Sequence, residues 1–175
     1  MRVMHLLHAR VQVYNSGGYW TKKFMVWVNQ VGLSEPNDEH VLRGHLAEID
    51  FIQSRIWEVE RQIRATSALP RFRESTQILR GFRGIRLMTA MQLICETGDF
   101  SRFKSAPALM SYLGLIPSQH SSESTTRYGG ITKTGSPQAR KALIGAAWKY
   151  IYSPRVGVSL RTRQQDCSAR VVEII

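Results

Sequence analysis

QILRGFRGIRLMTAMQLICETG, residues 77–98, reads as helix, tight turn and helix. Residues 77–82 supply one apolar turn of helix. Gly84 allows the chain to double back, because glycine enters positive-φ backbone at little steric cost. Residues 87–97 are apolar on most faces, as expected of a helix buried in a core. Gly98 follows where a helix C-cap favours glycine. Arg80, Arg83 and Arg86 surround the turn. In a helix-hairpin-helix, such a turn exposes backbone N–H groups at a helix N-terminus. Those groups and the helix dipole bind phosphate without reading base sequence. An ordinary helical hairpin explains the same pattern equally well.

Upstream, residues 67–76 (SALPRFREST) read as a connector around Pro70. Residues 38–66 read as one long helix that Asn37 or Asp38 can cap. Leu42, Ile49, Ile56 and Ile63 recur every seven residues, and His45, Ile52 and Val59 follow the first three by three. That spacing fits an a/d coiled-coil seam, which would make the chain a homo-oligomer, and fits equally an amphipathic helix packed within its own chain. Residues 1–37 read poorly as a self-standing unit. Their aromatics Tyr19, Trp20, Phe24 and Trp27 flank Lys22 and Lys23, a mixture able to stack on bases and neutralise phosphates. The plainer reading, a short helix whose aromatics pack on a neighbour, is favoured.

Downstream, residues 99–103 turn the chain and residues 106–113 form a short helix ending at Gly114. Residues 116–137 are rich in Ser, Thr and Gly, and so polar a stretch inside a domain is either functional or disordered. Residues 138–152 return to helix until Pro154, and residues 160–175 are a basic helical stretch with an apolar end that looks cut short. The expected fold is mainly α: a heptad-like long helix, then a compact helical domain containing a helix-hairpin-helix-like element and a Ser/Gly-rich loop. The expected division is 1–74, linker and coiled-coil-like helix, and 75–175, the helical domain.

Apolar residues make up 43 % of the 175, which excludes global disorder. No apolar run is long enough to span a bilayer, and the N-terminus lacks the pattern of a secretory signal, so no membrane partner is expected. Cys95 and Cys167 form neither a metal-binding spacing nor a disulfide framework, and a reducing cytoplasm fits best. The net charge is +11. Residues 1–100 carry a net +3, whereas residues 101–175 carry +8, with only three carboxylates. A field of that sign draws polyanions, and nucleic acid is the leading partner.

Two kinds of chemistry are open to the polar stretch. A serine hydroxyl can attack a phosphodiester and hold it as a phosphoserine link, provided cations stabilise the crowded phosphorus. Arg127, Lys133, Arg140 and Lys141 are near enough in sequence to serve. Composition alone cannot choose the serine, and a solvated Ser-rich loop is the plainer reading. Two-metal phosphoryl transfer needs several convergent carboxylates. Residues 75–175 offer only Glu96, Asp99, Glu123, Asp166 and Glu173, and Gly98-Asp99 reads as a cap and turn. No metal site and no cofactor are therefore expected within this chain. His120 has no partner that would make a hydrolase triad.

The strings LRGFRGI (79–85), ETGDFSRF (96–103), YLGLIPS (112–118), GGITKTG (129–135) and ARKAL (139–143) occur in order. Together they resemble the C-terminal domain of the DEDD-type insertion-sequence transposases, family one hundred and ten, relatives of the Piv DNA invertases. The resemblance covers residues 75–175, and residues 1–74 are more loosely similar to the linker before that domain. It implies DNA transposition and recombination by serine-mediated strand cleavage and transfer, with DNA as partner and a structured RNA as guide. It also implies an acidic RNase H-like domain carrying magnesium, which has no counterpart in this sequence. The family's nucleophilic serine falls on Ser122. The DNA-binding candidates are Arg80, Arg83, Gly84, Arg86, Arg127, Lys133, Arg140 and Lys141.

Two positions depart from the family pattern. Glu123 stands where glycine follows the serine, and a carboxylate there repels phosphate. Arg86 stands where the hairpin has its second glycine. The expectation is a DNA-binding transposase fragment that is inactive alone. The competing expectations are a non-enzymatic nucleic-acid-binding or dimerisation module, and an inactive remnant.

Overall fold

The computed structural model describes residues 2–122 and 125–174, the side chains of residues 120–122, 125 and 126 excepted. It is mainly helical. The chain divides into two compact units, Met1–Val59 and Glu60–Ile175. The boundary falls inside a long helix rather than in the 67–76 connector.

The first unit contains α1 (Arg2–Ala9), α2 (Lys22–Gln30) and the start of α3 (Pro36–Ser67). Thr21 caps α2, its hydroxyl oxygen accepting the Phe24 amide at 3.3 Å. Val3 and Leu7 from α1, Phe24 and Val28 from α2, and Leu42 and Leu46 from α3 bury one core. Residues 1–37 thus acquire a core by sharing the first turns of α3. The aromatics take the packing role. Phe24 is fully buried, edge-on to Tyr14 at 5.4 Å and to Trp20 at 5.3 Å.

The heptad pattern is used in part. Leu42 is buried and Ile49 packs against the first core, whereas Ile52, Ile56 and Val59 are about half exposed. Leu46, outside the predicted seam, is buried in place of His45. A helix with 3.6 residues per turn drifts off a seven-residue repeat, so one side of α3 cannot stay against a compact neighbour for its whole length.

In the second unit the connector shrinks to Ala68 and Leu69, because Pro70 opens α4 (Pro70–Gly81). Proline suits the first helical position, where its missing N–H would have no helical partner. Residues 82–86 turn the chain into α5 (Leu87–Thr97), which Gly98 ends at φ +70° with its amide on the Ile94 carbonyl at 2.8 Å. A short 3-10 turn over Phe100–Arg102 and α6 (Ala106–Tyr112) follow. Next come the strands β1 (Pro117–Ser122) and β2 (Thr125–Ile131), then α7 (Pro137–Ala147), a second 3-10 turn at Trp148–Ile151, α8 (Val158–Gln165) and α9 (Ala169–Ile174). Ile85, Ala90, Leu93, Leu113, Ala139 and Ala146 form the second core. Burying a side chain such as Leu93 or Leu113 contributes about 1.5–3 kcal/mol.

The Ser/Gly-rich stretch differs from its reading as a loop. β1 and β2 pair antiparallel, with Gln119 opposite Tyr128 and an irregularity between Pro117 and Gln119. The backbone of this segment satisfies itself across the hairpin, so an apolar face is not needed to order it. Residues 127–131 are all exposed. The basic C-terminal stretch is likewise broken into α8 and α9. No described helix is long and apolar enough to cross a membrane.

Candidate nucleic-acid interface

The turn after α4 is built on Gly84. Its φ is +88°, and a Cβ placed there would lie 2.5 Å from the Ala146 carbonyl oxygen of α7. Any other residue would be strained and would push α7 away. Arg86 precedes α5 in ordinary extended backbone, φ −107° and ψ 179°. A second glycine is therefore not required at that position, and arginine fits without strain.

Arg80 and Arg86 line a cleft of about 390 Å³ at this turn. Two further arginines line it: Arg64, near the end of α3, and Arg163 of α8. Glu60 is the only carboxylate among the described lining residues. Leu87 and Met88, the first residues of α5, form part of the wall, so the positive end of that helix lies at the cleft. Arg86 makes no side-chain cap to the helix, and Arg80 Nε is buried without a hydrogen-bond partner. A buried unpaired donor costs about 1–3 kcal/mol and is a reason for an anion to bind.

α8 and the residues just after it are fastened to α4 and the turn by three side chains. Arg163 Nη1 donates to the Ile85 carbonyl at 2.6 Å, Gln164 Nε2 to Gly81 at 3.2 Å, and the Cys167 thiol to Gln77 at 3.5 Å. Burial lowers the Arg163 pKa below its ordinary value, and repulsion from Arg80 and Arg86 adds to this. Mutual repulsion among these guanidinium groups is relieved when an anion enters. Sequence alone singles out neither Arg64 nor Arg163. The cleft joins positions about a hundred residues apart, which no local pattern links.

The other sequence-derived residues separate. Arg83 leaves the cleft, donating to the Tyr152 carbonyl at 2.9 Å and lying 5.8 Å from the Tyr150 ring. Gly84 and Lys141 line a second hollow, with Thr89, Gln92 and Gln138. Arg127 and Lys133 are exposed, on β2 and just after it. Arg140 is only 9 % exposed and is committed to structure. Its Nη1 donates to the carbonyls of Leu113 at 2.9 Å and Gly135 at 3.2 Å, and also to Thr134. That clamp holds the Gly114 turn against residues 133–135, where Lys133 adopts φ +58°. In this arrangement Arg140 is not open to a ligand. Ser122 ends β1, but its side chain lies outside the described residues, as does all of Glu123.

Asp99 accepts the Ser101 hydroxyl at 2.7 Å and amide at 2.8 Å, the cap and turn read from the sequence. The described residues gather no three of His, Cys, Asp or Glu around a point that would hold a metal ion.

Comparison with known proteins finds a family that part of this region resembles. Residues 76–158 match the transposase IS116/IS110/IS902 family. The matched segment begins in α4 and ends at the start of α8, and contains both Gly84 and the hairpin. Over 97 % of its length the chain is 31 % identical to the putative transposase y4qE of Sinorhizobium fredii, covering 40 % of that protein. Over 92 % it is 23 % identical to the transposase for insertion sequence element IS1533 of Leptospira borgpetersenii, covering 46 %. Over 67 % it is 29 % identical to the transposase for insertion sequence element IS1111A of Coxiella burnetii, covering 31 %. The chain spans less than half the length of these relatives.

Proposed function

We propose that this chain is a DNA-binding part of a transposase, and that the arginine cleft grips the phosphate backbone. The transposase relatives support a transposase-related role. The observation that carries the binding site is the convergence of Arg64, Arg80, Arg86 and Arg163 against a single carboxylate at the N-terminus of α5. An arrangement of guanidinium forks and free helix amides suits a phosphodiester and reads no base. It serves DNA and a guide RNA alike.

In this reading the parent activity is strand cleavage by Ser122. Its Oγ forms a bond to phosphorus, one strand oxygen leaves as the P–O bond breaks, and the hydroxyl proton passes to a base or solvent. Glu123 beside it opposes this step by repelling phosphate. The purified chain is therefore expected to bind DNA and not to form a covalent adduct.

The test is duplex DNA binding as a function of salt. Removing one cation that neutralises a phosphate reduces the slope of log K against log salt by about 0.9. Arg64→Ala and Arg86→Ala, both exposed residues, should each lower the slope by about that amount. Unchanged slopes in both variants would remove the cleft from the interface.

A second reading, pairing of two copies through α3, is favoured by the exposed Ile52, Ile56 and Val59 at heptad-like spacing. Sedimentation of the wild type and of Ile56→Glu tests it. A dimer made monomeric by the substitution supports pairing, and a monomeric wild type refutes it.

A further inference from the structure

At the same turn, reached by Arg83, the chain displays aromatic surface. Trp148 is 63 % exposed, Tyr150 52 % and Tyr152 68 %. They follow α7 directly, Trp148 and Tyr150 within the 3-10 turn. Such surface is costly to leave in water, and several exposed aromatics in one short segment suit a binding role. Arg83 ties it to the turn. Its guanidinium lies over the Tyr150 ring and donates to the Tyr152 carbonyl, so the platform is anchored between Arg80 and Arg86 in sequence. Lys149, Arg155, Arg161 and Arg163 fall between residues 148 and 165, a span with no Asp or Glu. Aromatic rings interleaved with cations and free of carboxylates suit an anionic partner that has flat faces to stack.

We propose that Trp148, Tyr150 and Tyr152 are a stacking platform for the bases of an unpaired nucleic-acid strand whose phosphates enter the arginine cleft. This rests on the reading of the cleft as a phosphate site and names the form of its ligand. A paired duplex hides its base faces, and so can use the cleft but not the platform. Arg83, spent on Tyr150 and Tyr152, acts as a positioning residue for the rings rather than as a phosphate ligand.

The test uses the full chain with a labelled 16-nucleotide oligo(dT), oligo(U) of the same length, and a duplex. Trp148→Ala/Tyr152→Ala should weaken oligo(dT) binding at least about five-fold and leave duplex binding within about two-fold. Oligo(dT) should quench tryptophan fluorescence in the wild type. Trp148→Phe should retain affinity and lose that part of the quench, a readout that a merely structural role would not move. Similar weakening for oligo(dT) and oligo(U) would indicate that the platform takes unpaired DNA and RNA alike; weakening for one alone would name the strand. Equal weakening toward duplex and single strand would overturn the proposal. So would unchanged DNA binding accompanied by loss of self-association in sedimentation, which would make the patch a protein contact. Failure of the cleft is seen separately. Arg64→Ala and Arg86→Ala would then bind all three probes like the wild type, whatever the aromatic variants do.

Discussion

Arg163 and Ile85, 78 positions apart, are joined by a 2.6 Å hydrogen bond from a guanidinium to the carbonyl just ahead of α5. The bond sets α8 over the turn and brings a fourth guanidinium to the cleft. Its donor is positively charged and partly buried, the setting in which a single hydrogen bond counts for most. Arg163→Ala is expected to cost about 1–3 kcal/mol in chemical denaturation and to weaken DNA binding. Arg163→Lys keeps the charge but lacks the fork that serves the Ile85 carbonyl and, through Nε at 3.1 Å, the Ser159 carbonyl together. It should recover binding more than stability. Equal recovery of both would mean that the bond to Ile85 contributes little.

Gly84 carries the turn in a different way, through absence of a side chain. Gly84→Ala places a Cβ 2.5 Å from the Ala146 carbonyl oxygen in positive-φ backbone. A backbone carbonyl cannot swing aside as a flexible side chain can. The expected cost is about 1–3 kcal/mol from backbone strain alone, read as a lower denaturant midpoint. Gly98→Ala is the control. It has the same sign of φ with nothing near its Cβ, and should cost less.

Residues 77–98 announce their structure because each local signal agrees: an apolar helix, a glycine turn, a second apolar helix and a glycine cap. The heptad pattern of α3 is as clear but ambiguous, since one repeat serves both packing within a chain and pairing between chains. Only its first part, Leu42 to Ile49, is covered. The hairpin is hidden because Ser, Thr and Gly give no apolar alternation, and its order comes from backbone pairing. The arginine cleft is half legible. Arg80 and Arg86 flank the glycine turn in sequence, while Arg64 and Arg163 reach it only through folding. Arg140 misleads for the opposite reason. A basic residue in a basic segment looks like a ligand contact, yet here it closes a turn from within.

Arg140 therefore yields a stability prediction rather than a binding one. Its guanidinium satisfies the carbonyls of Leu113 and Gly135 in a buried site. Arg140→Ala would leave those acceptors unpaired, at an expected cost of about 2–5 kcal/mol. Arg140→Lys has three donors but no planar fork, and should recover only part of it. Hydrogen exchange of the amides of Thr132 and Lys133 checks the mechanism, since both bond to the Gly114 turn region. They should lose protection in the variant before α4 and α5 do. Uniform loss across the second unit would argue that Arg140 supports the whole core instead.

Glu39 gives the first unit an acid-sensitive step. Its carboxylate accepts the Leu33 amide at 2.9 Å and the Arg43 guanidinium at 2.7 Å. These bonds, the Leu33 amide foremost, hold its pKa below the ordinary carboxylate value. The unfolded chain therefore takes up the proton first as the pH falls. The stabilisation is fully present above the unfolded pKa, about 4.3. It is lost as the pH falls through the lower folded value. Glu39→Gln should be less stable than the wild type at neutral pH, because the Arg43 ion pair is gone. Below that folded value the two should converge. The probe should be local to the first core, such as the near-ultraviolet signal of Trp27, which packs there. The Asp99 carboxylate, held low by Ser101, adds a slope of the same sign in the second unit. A global melting curve would mix the two, whereas a Trp27 signal with the same pH slope in both proteins would show that Glu39 is not the titrating group.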